Sequence, residues 1–260
     1  MRFLQIAGRL SFALLIVSVA IGLAAAFGTR WHLWDYRVGL WRVFPYCLYA
    51  GLVSLLAGLV WLFSALWWRT GKGVLFGVAG IVGSMAVLWV PLDDLYLVKV
   101  EHSIPPIHDI STDTEHPPEF VTLGSRRPDA TNPPGYDGPS KVKFEGRIYT
   151  TESLQKLYYG DVKSFPQLGT TPAKLFQRAL VVARDMGWTI AAVAPNSQGG
   201  RIEATDTSLL FGLTDDIAIR VRRAGIGVRL DIRSKSRVGA CDFGRNAARI
   251  LAYRNRLESR

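Results

Sequence analysis

The chain has 260 residues, a formal charge of +10, a sequence pI near 9.9 and two cysteines. It has no CxxC pair or zinc-module spacing, and no zinc-finger, basic-zipper or RNA-recognition pattern, so its basic charge does not mark a nucleic-acid binder. Its residues are unevenly spread: seven of the eight Trp precede residue 90, and eight of the thirteen Pro lie between Pro105 and Pro139. Three parts are expected: a membrane region over 1–94, a Pro-rich connector over 95–150, and a soluble domain over 151–260.

Three uncharged apolar runs, Leu10–Phe27, Val43–Trp68 and Val74–Pro91, approach or exceed the roughly 20 residues of a transmembrane helix. The first also reads as a signal peptide, with Arg2 and Arg9 before it and Ala24-Ala25-Ala26 at its end. Small residues at helix-packing spacing (Gly73/Gly77, Ala79/Gly83, Gly80/Ser84, Ser54/Gly58) predict a compact three-helix bundle. Between the first two runs, Trp31, Trp34, Val38 and Trp41 form one helical stripe, read as an interfacial segment. The absence of charge within the runs argues against an ion pathway. Arg2, Arg9, Arg69 and Lys72 against Arg30, Arg37 and Arg42 favour a cytoplasmic N-terminus, with the C-terminal domain on the outer side.

The connector is too rich in Pro for long regular elements. Its polar cluster has two readings. His108, Asp109, Asp113 and His116 offer nitrogen and oxygen ligands to a divalent metal. Alternatively, its Asp, Ser and Thr side chains bond nearby backbone and hold an extended segment against the domain.

In the soluble domain, Glu152–Tyr159 reads as a short helix. A second helix starts at Thr171-Pro172, with Thr as N-cap and Pro in the first turn, and ends before Gly187. Alternation predicts strands at Trp188–Ala194, Arg201–Thr207, Asp216–Arg223 and Ile226–Ser234, then a helix from near Asp242 to Glu258. The expected fold class is membrane-anchored α+β: three transmembrane helices, then a two-layer domain with a four-stranded antiparallel meander and two packing helices.

The last hairpin allows a register argument. With Ile217, Ile219, Val221, Ile226, Val228, Leu230 and Ile232 all facing the core, a turn at Ala224-Gly225 pairs Val221 with Val228 and sets Arg220 opposite Arg229. Like charges so placed need a counter-charge. Asp231 and Glu203 can supply it, or an anionic ligand can. The following corner adds Arg233, Ser234, Ser236, Arg237, Asp242 and Asn246, either an anion site or a helix cap. The candidate ligand-binding set is therefore Arg220, Arg229, Arg233, Ser234, Ser236 and Arg237. Asp215-Asp216 is a weak acid/base signal, and no nucleophile elbow, P-loop or HExxH motif occurs.

The stretches IPPIHDISTDTEHPPEF, GRIEATDTSLLFGLTDDIAIRV and LDIRSKSRVGACDFGRNAARI make residues 104–250 resemble the domain of unknown function 1499 family. The resemblance implies that these motifs share one domain and that the chain is a bacterial envelope protein, and it carries no catalytic residue. The expectation is an inner-membrane protein whose exported domain is a non-enzymatic binding or scaffolding module for an anionic envelope component. Its expected partners are the lipid bilayer and an anionic lipid, an envelope polymer or another envelope protein; no cofactor is expected. The alternative is a metal-dependent hydrolase built on His108, Asp109, Asp113 and His116.

Overall fold

The computed structural model describes residues 2–68, 74–100 and 104–259. Arg69, Lys72 and Gly73, used in the orientation and packing readings, lie outside the described residues. The chain forms two units, Met1–Glu101 with Ser208–Gly212, and His102–Thr207 with Leu213–Arg260.

In the first unit, helices α1 (Arg2–Arg30), α2 (Phe44–Trp67) and α3 (Val74–Val100) pack together. Two stretches, Ile6–Arg30 and Val38–Trp67, are long and apolar enough to cross a membrane; Val74–Trp89 is apolar but shorter. Large apolar side chains such as Leu52, Leu56, Phe63 and Leu66 face outward, while Ser11, Ser18, Ser54 and Ser84 are buried. That distribution is the reverse of a water-soluble bundle and suits lipid, where close packing and interhelical hydrogen bonds replace the hydrophobic drive. Ser11 Oγ donates to the Ser54 carbonyl (2.8 Å), Ser54 Oγ to the Ser11 carbonyl (2.7 Å), and Ser84 Oγ to Ser54 Oγ (2.7 Å). Glycine makes this approach feasible: a Cβ at Gly80 would collide with Ser11. The Trp-rich segment is not a separate interfacial helix. Residues 31–35 form a turn, and a π-helical stretch, Val38–Val43, runs directly into α2.

The second unit is a six-stranded antiparallel sheet, where four strands were expected. Strands β5 (Thr189–Asn196), β6 (Gly199–Thr207), β7 (Thr214–Ala224) and β8 (Gly227–Ser236) pair in sequence order. Two three-residue strands, β1 (Asp109–Ser111) and β4 (Phe165–Gln167), both pair with β8. They cover an edge that would otherwise expose a row of unpaired backbone groups. Such short strands carry no alternation, which is why the Pro-rich segment read as a connector. A separate hairpin, β2 (Lys141–Phe144) and β3 (Arg147–Thr150), leads into α4 (Thr151–Tyr158), capped by Thr150 and Ser153.

One sheet face packs on α5 (Pro172–Asp185) and α6 (Arg245–Glu258). Thr171 Oγ1 accepts from the Lys174 N–H, and Gly187 adopts φ 79°, as the capping signals require. Trp188 stacks on Tyr253 at 5.3 Å, and the Tyr253 hydroxyl donates to the Ala179 carbonyl, so the buried phenol is satisfied.

The β7–β8 register is two residues from the expected one. Val221 faces Leu230, Ile219 faces Ile232, and Ile217 faces Ser234. The loop is Gly225-Ile226, and Ile226 stands fully exposed at its tip instead of entering the core. Both registers keep the same residues on the same face, so alternation cannot separate them. The turn does. A two-residue loop with positive φ at its first central position suits glycine, and Gly225 has φ 55°; the expected turn would have put Ala224 there.

Candidate functional site

The sheet face away from the helices carries charge. Arg201, Glu203, Asp216, Arg220, Arg222, Arg229, Asp231, Arg233 and Lys235 project from β6, β7 and β8, and the Pro-rich segment meets them with Asp109, Asp113, Arg127 and Asp137. Burying charge is tolerated only when it is paired and hydrogen-bonded. Arg233, 2% exposed, meets that condition in full. Its Nε and Nη2 each donate to Asp109 at 2.8 Å, Nη2 also donates to the Gly135 carbonyl at 2.7 Å, and the guanidinium lies over Phe120 and Tyr136. Lys235 Nζ, fully buried, donates to Asp137 and to the Gly135 carbonyl, each at 2.6 Å. Glu203 accepts the backbone N–H groups of Val121, Thr122 and Leu123 as well as Arg201 Nε.

Toward the hairpin tip the cover ends. Arg222 faces Arg229 across the ladder, so the like-charge pair expected at Arg220 and Arg229 falls one step nearer the tip, and Arg220 faces Asp231. Arg220, Arg222 and Arg229 reach Asp113 Oδ2 at 3.0, 3.2 and 3.0 Å. Arg220 and Arg229 also hold Asp231, at 2.9 and 2.8 Å. The expected role of Asp231 holds, but Glu203 is engaged elsewhere and Asp113 takes its place. Three guanidiniums thus share two carboxylates. They are 26%, 41% and 32% exposed, while the Asp231 side chain is fully buried. Arg220 Nε is buried without a hydrogen-bond partner among the described residues.

The other candidates are not part of this opening. Arg233 is interior. Ser234 and Ser236 lie on the opposite face, bonded to Asn246 at 2.6 and 3.0 Å. Arg237 makes two bonds to Asp216 Oδ1, at 2.9 and 2.8 Å. Asp242 accepts the N–H groups of Gly244 and Asn246, so the corner is a helix cap filled by the protein's own groups. Asp215 and Asp216 are adjacent in a strand and point to opposite faces: Arg249 binds the first, Arg127 and Arg237 the second.

The four residues of the metal reading are engaged separately. His108 Nε2 stands 3.0 Å from Asp137, without hydrogen-bond alignment. Asp109 binds Arg233 and Lys235, Asp113 binds the three arginines, and the His116 carbonyl accepts from Arg220. Among the described residues no three His, Cys, Asp or Glu side chains come together as a metal site. The local-bonding reading describes the segment well. Asp113 Oδ1 accepts the His116 N–H, Ser111 Oγ donates to the Asp113 carbonyl, and Thr112 Oγ1 accepts the Ile232 N–H.

Two of the shifted carboxyls belong to the charged face. Burial alone would raise Asp137, but its contacts with His108 and Lys235 outweigh that and hold it at about 2. Burial would likewise raise Asp231, and bonds from Ser164, Arg220 and Arg229 bring it below the usual carboxylate range. Asp231 therefore acts as an acceptor and not as a proton donor at neutral pH.

One family profile, described as a protein of unknown function (DUF1499), matches residues 109–257, more than half of the chain. The match starts at β1 and ends in α6, and it contains the whole charged face. No curated protein matches the chain.

Removing one partner of the buried pair strands a charge. Asp109→Asn or Arg233→Ala is expected to cost about 3–5 kcal/mol, and Arg222→Ala under about 1 kcal/mol. Denaturant unfolding of the full chain in detergent, followed by hydrogen exchange of the sheet, measures both. Because the folded pKa of Asp137 is depressed, its contribution is complete above the ordinary 3.8 and is lost as pH falls toward about 2. Asp137→Asn should lower stability at neutral pH and flatten the decline across that interval in a pH series of the same unfolding measurement.

Proposed function

The chain belongs to the DUF1499 family, which brings no assigned activity, and we propose from its geometry that it is a membrane-attached, non-enzymatic binding module for an anionic group. Arg220, Arg222 and Arg229 hold the ligand. The observation that carries this reading is that three partly exposed guanidiniums share two carboxylates at the hairpin end of a largely buried ionic face. Planar forks with spare N–H donors suit phosphate or carboxylate, bound by charge-assisted hydrogen bonds. A binding role fits the site better than catalysis, since Asp231 is held ionised by its hydrogen-bond donors and the Ser164 hydroxyl already donates to it.

In the same reading, α3 is a third span beside α1 and α2, the bilayer is that of a bacterial inner membrane, and the second unit lies on its outer side. The long apolar stretches and outward-facing aliphatic side chains of α1 and α2 support the membrane placement. The ligand is then an anionic envelope component: a lipid headgroup, a polymer, or an acidic surface of another envelope protein.

Equilibrium dialysis of the full chain in nonionic detergent against pyrophosphate at low salt tests the site. Saturable binding is expected, weakened at least about tenfold by Arg222→Ala with Arg229→Ala, since each charged hydrogen bond is worth roughly 1.5–3 kcal/mol. Arg126→Ala, an exposed control, should leave it unchanged. Absence of saturable binding, or a double variant that binds like the parent, refutes the reading. For the outer-side placement, a C-terminal alkaline phosphatase fusion expressed in a bacterium should be active and a green fluorescent protein fusion dark. The opposite pattern places the unit inside.

A further inference from the structure

The β7–β8 tip ends in a large aliphatic side chain that the fold does not use. Ile226 is fully exposed, in a loop whose geometry requires only Gly225. Leu168, 73% exposed, lies just beyond β4, and a Cβ at Gly227 would stand 3.0 Å from its Cδ2, so both apolar side chains share one tip. Behind them come Arg222 and Arg229, paired across the ladder on one face, with Arg223 exposed at the edge of the other. The two segments that build the tip, residues 222–229 and 163–168, contain Lys163 and three Arg and no acidic residue.

We propose that this tip docks on an anionic phospholipid surface, with Ile226 and Leu168 entering the acyl boundary and Arg222, Arg223 and Arg229 taking headgroup phosphates. The inference deepens the proposed function and rests on it, naming the anionic group as a lipid phosphate. Charge complementarity selects the partner: an apolar point within a basic collar matches the apolar interior and negative surface of such a bilayer. A protruding tip also needs no preformed groove in a fluid partner, whereas a folded protein would have to supply one. Two aliphatic side chains and three cations make a weak contact alone. A chain already attached to a membrane binds at high effective concentration, so a weak contact suffices.

The test uses the full chain in nanodiscs, carrying Ile226→Cys in a Cys47→Ala, Cys241→Ala background and labelled there with an environment-sensitive fluorophore. Headgroup-proximal spin-labelled lipid is supplied either in the disc or in added vesicles, with phosphatidylglycerol or with phosphatidylcholine alone. The expected result is a blue shift and quenching with phosphatidylglycerol in at least one arm and none with phosphatidylcholine. Labelling at Leu157→Cys, an exposed aliphatic outside the tip, should show neither. Without the label, Ile226→Ser with Leu168→Ser should leave pyrophosphate binding unchanged but reduce capture of phosphatidylglycerol vesicles by nanodisc-held chain roughly tenfold. No quenching in either arm while pyrophosphate still binds overturns the lipid inference and leaves the proposed function standing. Equal quenching by both lipids overturns it too, since the basic collar would then select nothing. Loss of pyrophosphate binding as well as quenching overturns both.

Discussion

Burying Arg233 is the constraint on which the rest of the second unit depends. A guanidinium 2% exposed and laid over two aromatic rings is sustainable only with a carboxylate in bidentate reach and carbonyls for its remaining donors. Asp109 supplies the first, and Gly135 and Pro134 supply the second. Satisfying it therefore draws in two parts of the Pro-rich segment. Asp109 comes within β1, so the pairing of β1 with β8 and the placement of the carboxylate are one event. Lys235, two residues along the same face, extends the network to Asp137 and His108. Glu203 pins the next stretch of cover through three backbone amides.

The sheet thus has two unlike faces. Toward α5 and α6 it is an apolar core, stabilised by area removed from water. Toward the Pro-rich segment it is held by paired charge, where stability depends on each group having its partner. A layer whose buried charges are paired in this way is structural. Its end near the hairpin tip differs, because the three arginines that share two carboxylates there remain partly exposed, whereas the two that share Asp216 are largely buried. The proposed binding role rests on that exposure together with the count of partners around each charge.

The parts of the fold that were legible in the sequence were those set by local chemistry. Thr171-Pro172 and Gly187 bracket α5, and the four long strands fall within about two residues of the alternating runs. Parity correctly divided Ile217, Ile219 and Val221 from Arg220 and Arg222. It could not detect a slip of two, which preserves parity, and that slip moved the arginine pair and put Ile226 in solvent. The weight lay in the turn, where a positive φ suits Gly225 at the first central position better than Ala224. What lay beyond reach was long-range: Asp113 is more than a hundred residues from the arginines it neutralises, and β1 and β4 are too short to show a period. The Arg/Ser corner misled for a related reason, since residue types suited to an anion also suit a helix cap, and Asn246 and Asp242 use them for the cap.

The division of one charged face into a buried structural part and an open, proposed binding end is tested most directly by nitrogen NMR of the arginine side chains, on the full chain in micelles titrated with pyrophosphate. Arg233 Nε–H should exchange slowly with solvent and keep its shift, while Arg222 and Arg229 should exchange fast and move saturably. Fast exchange at Arg233, or a response there as large as at Arg222, would contradict the division.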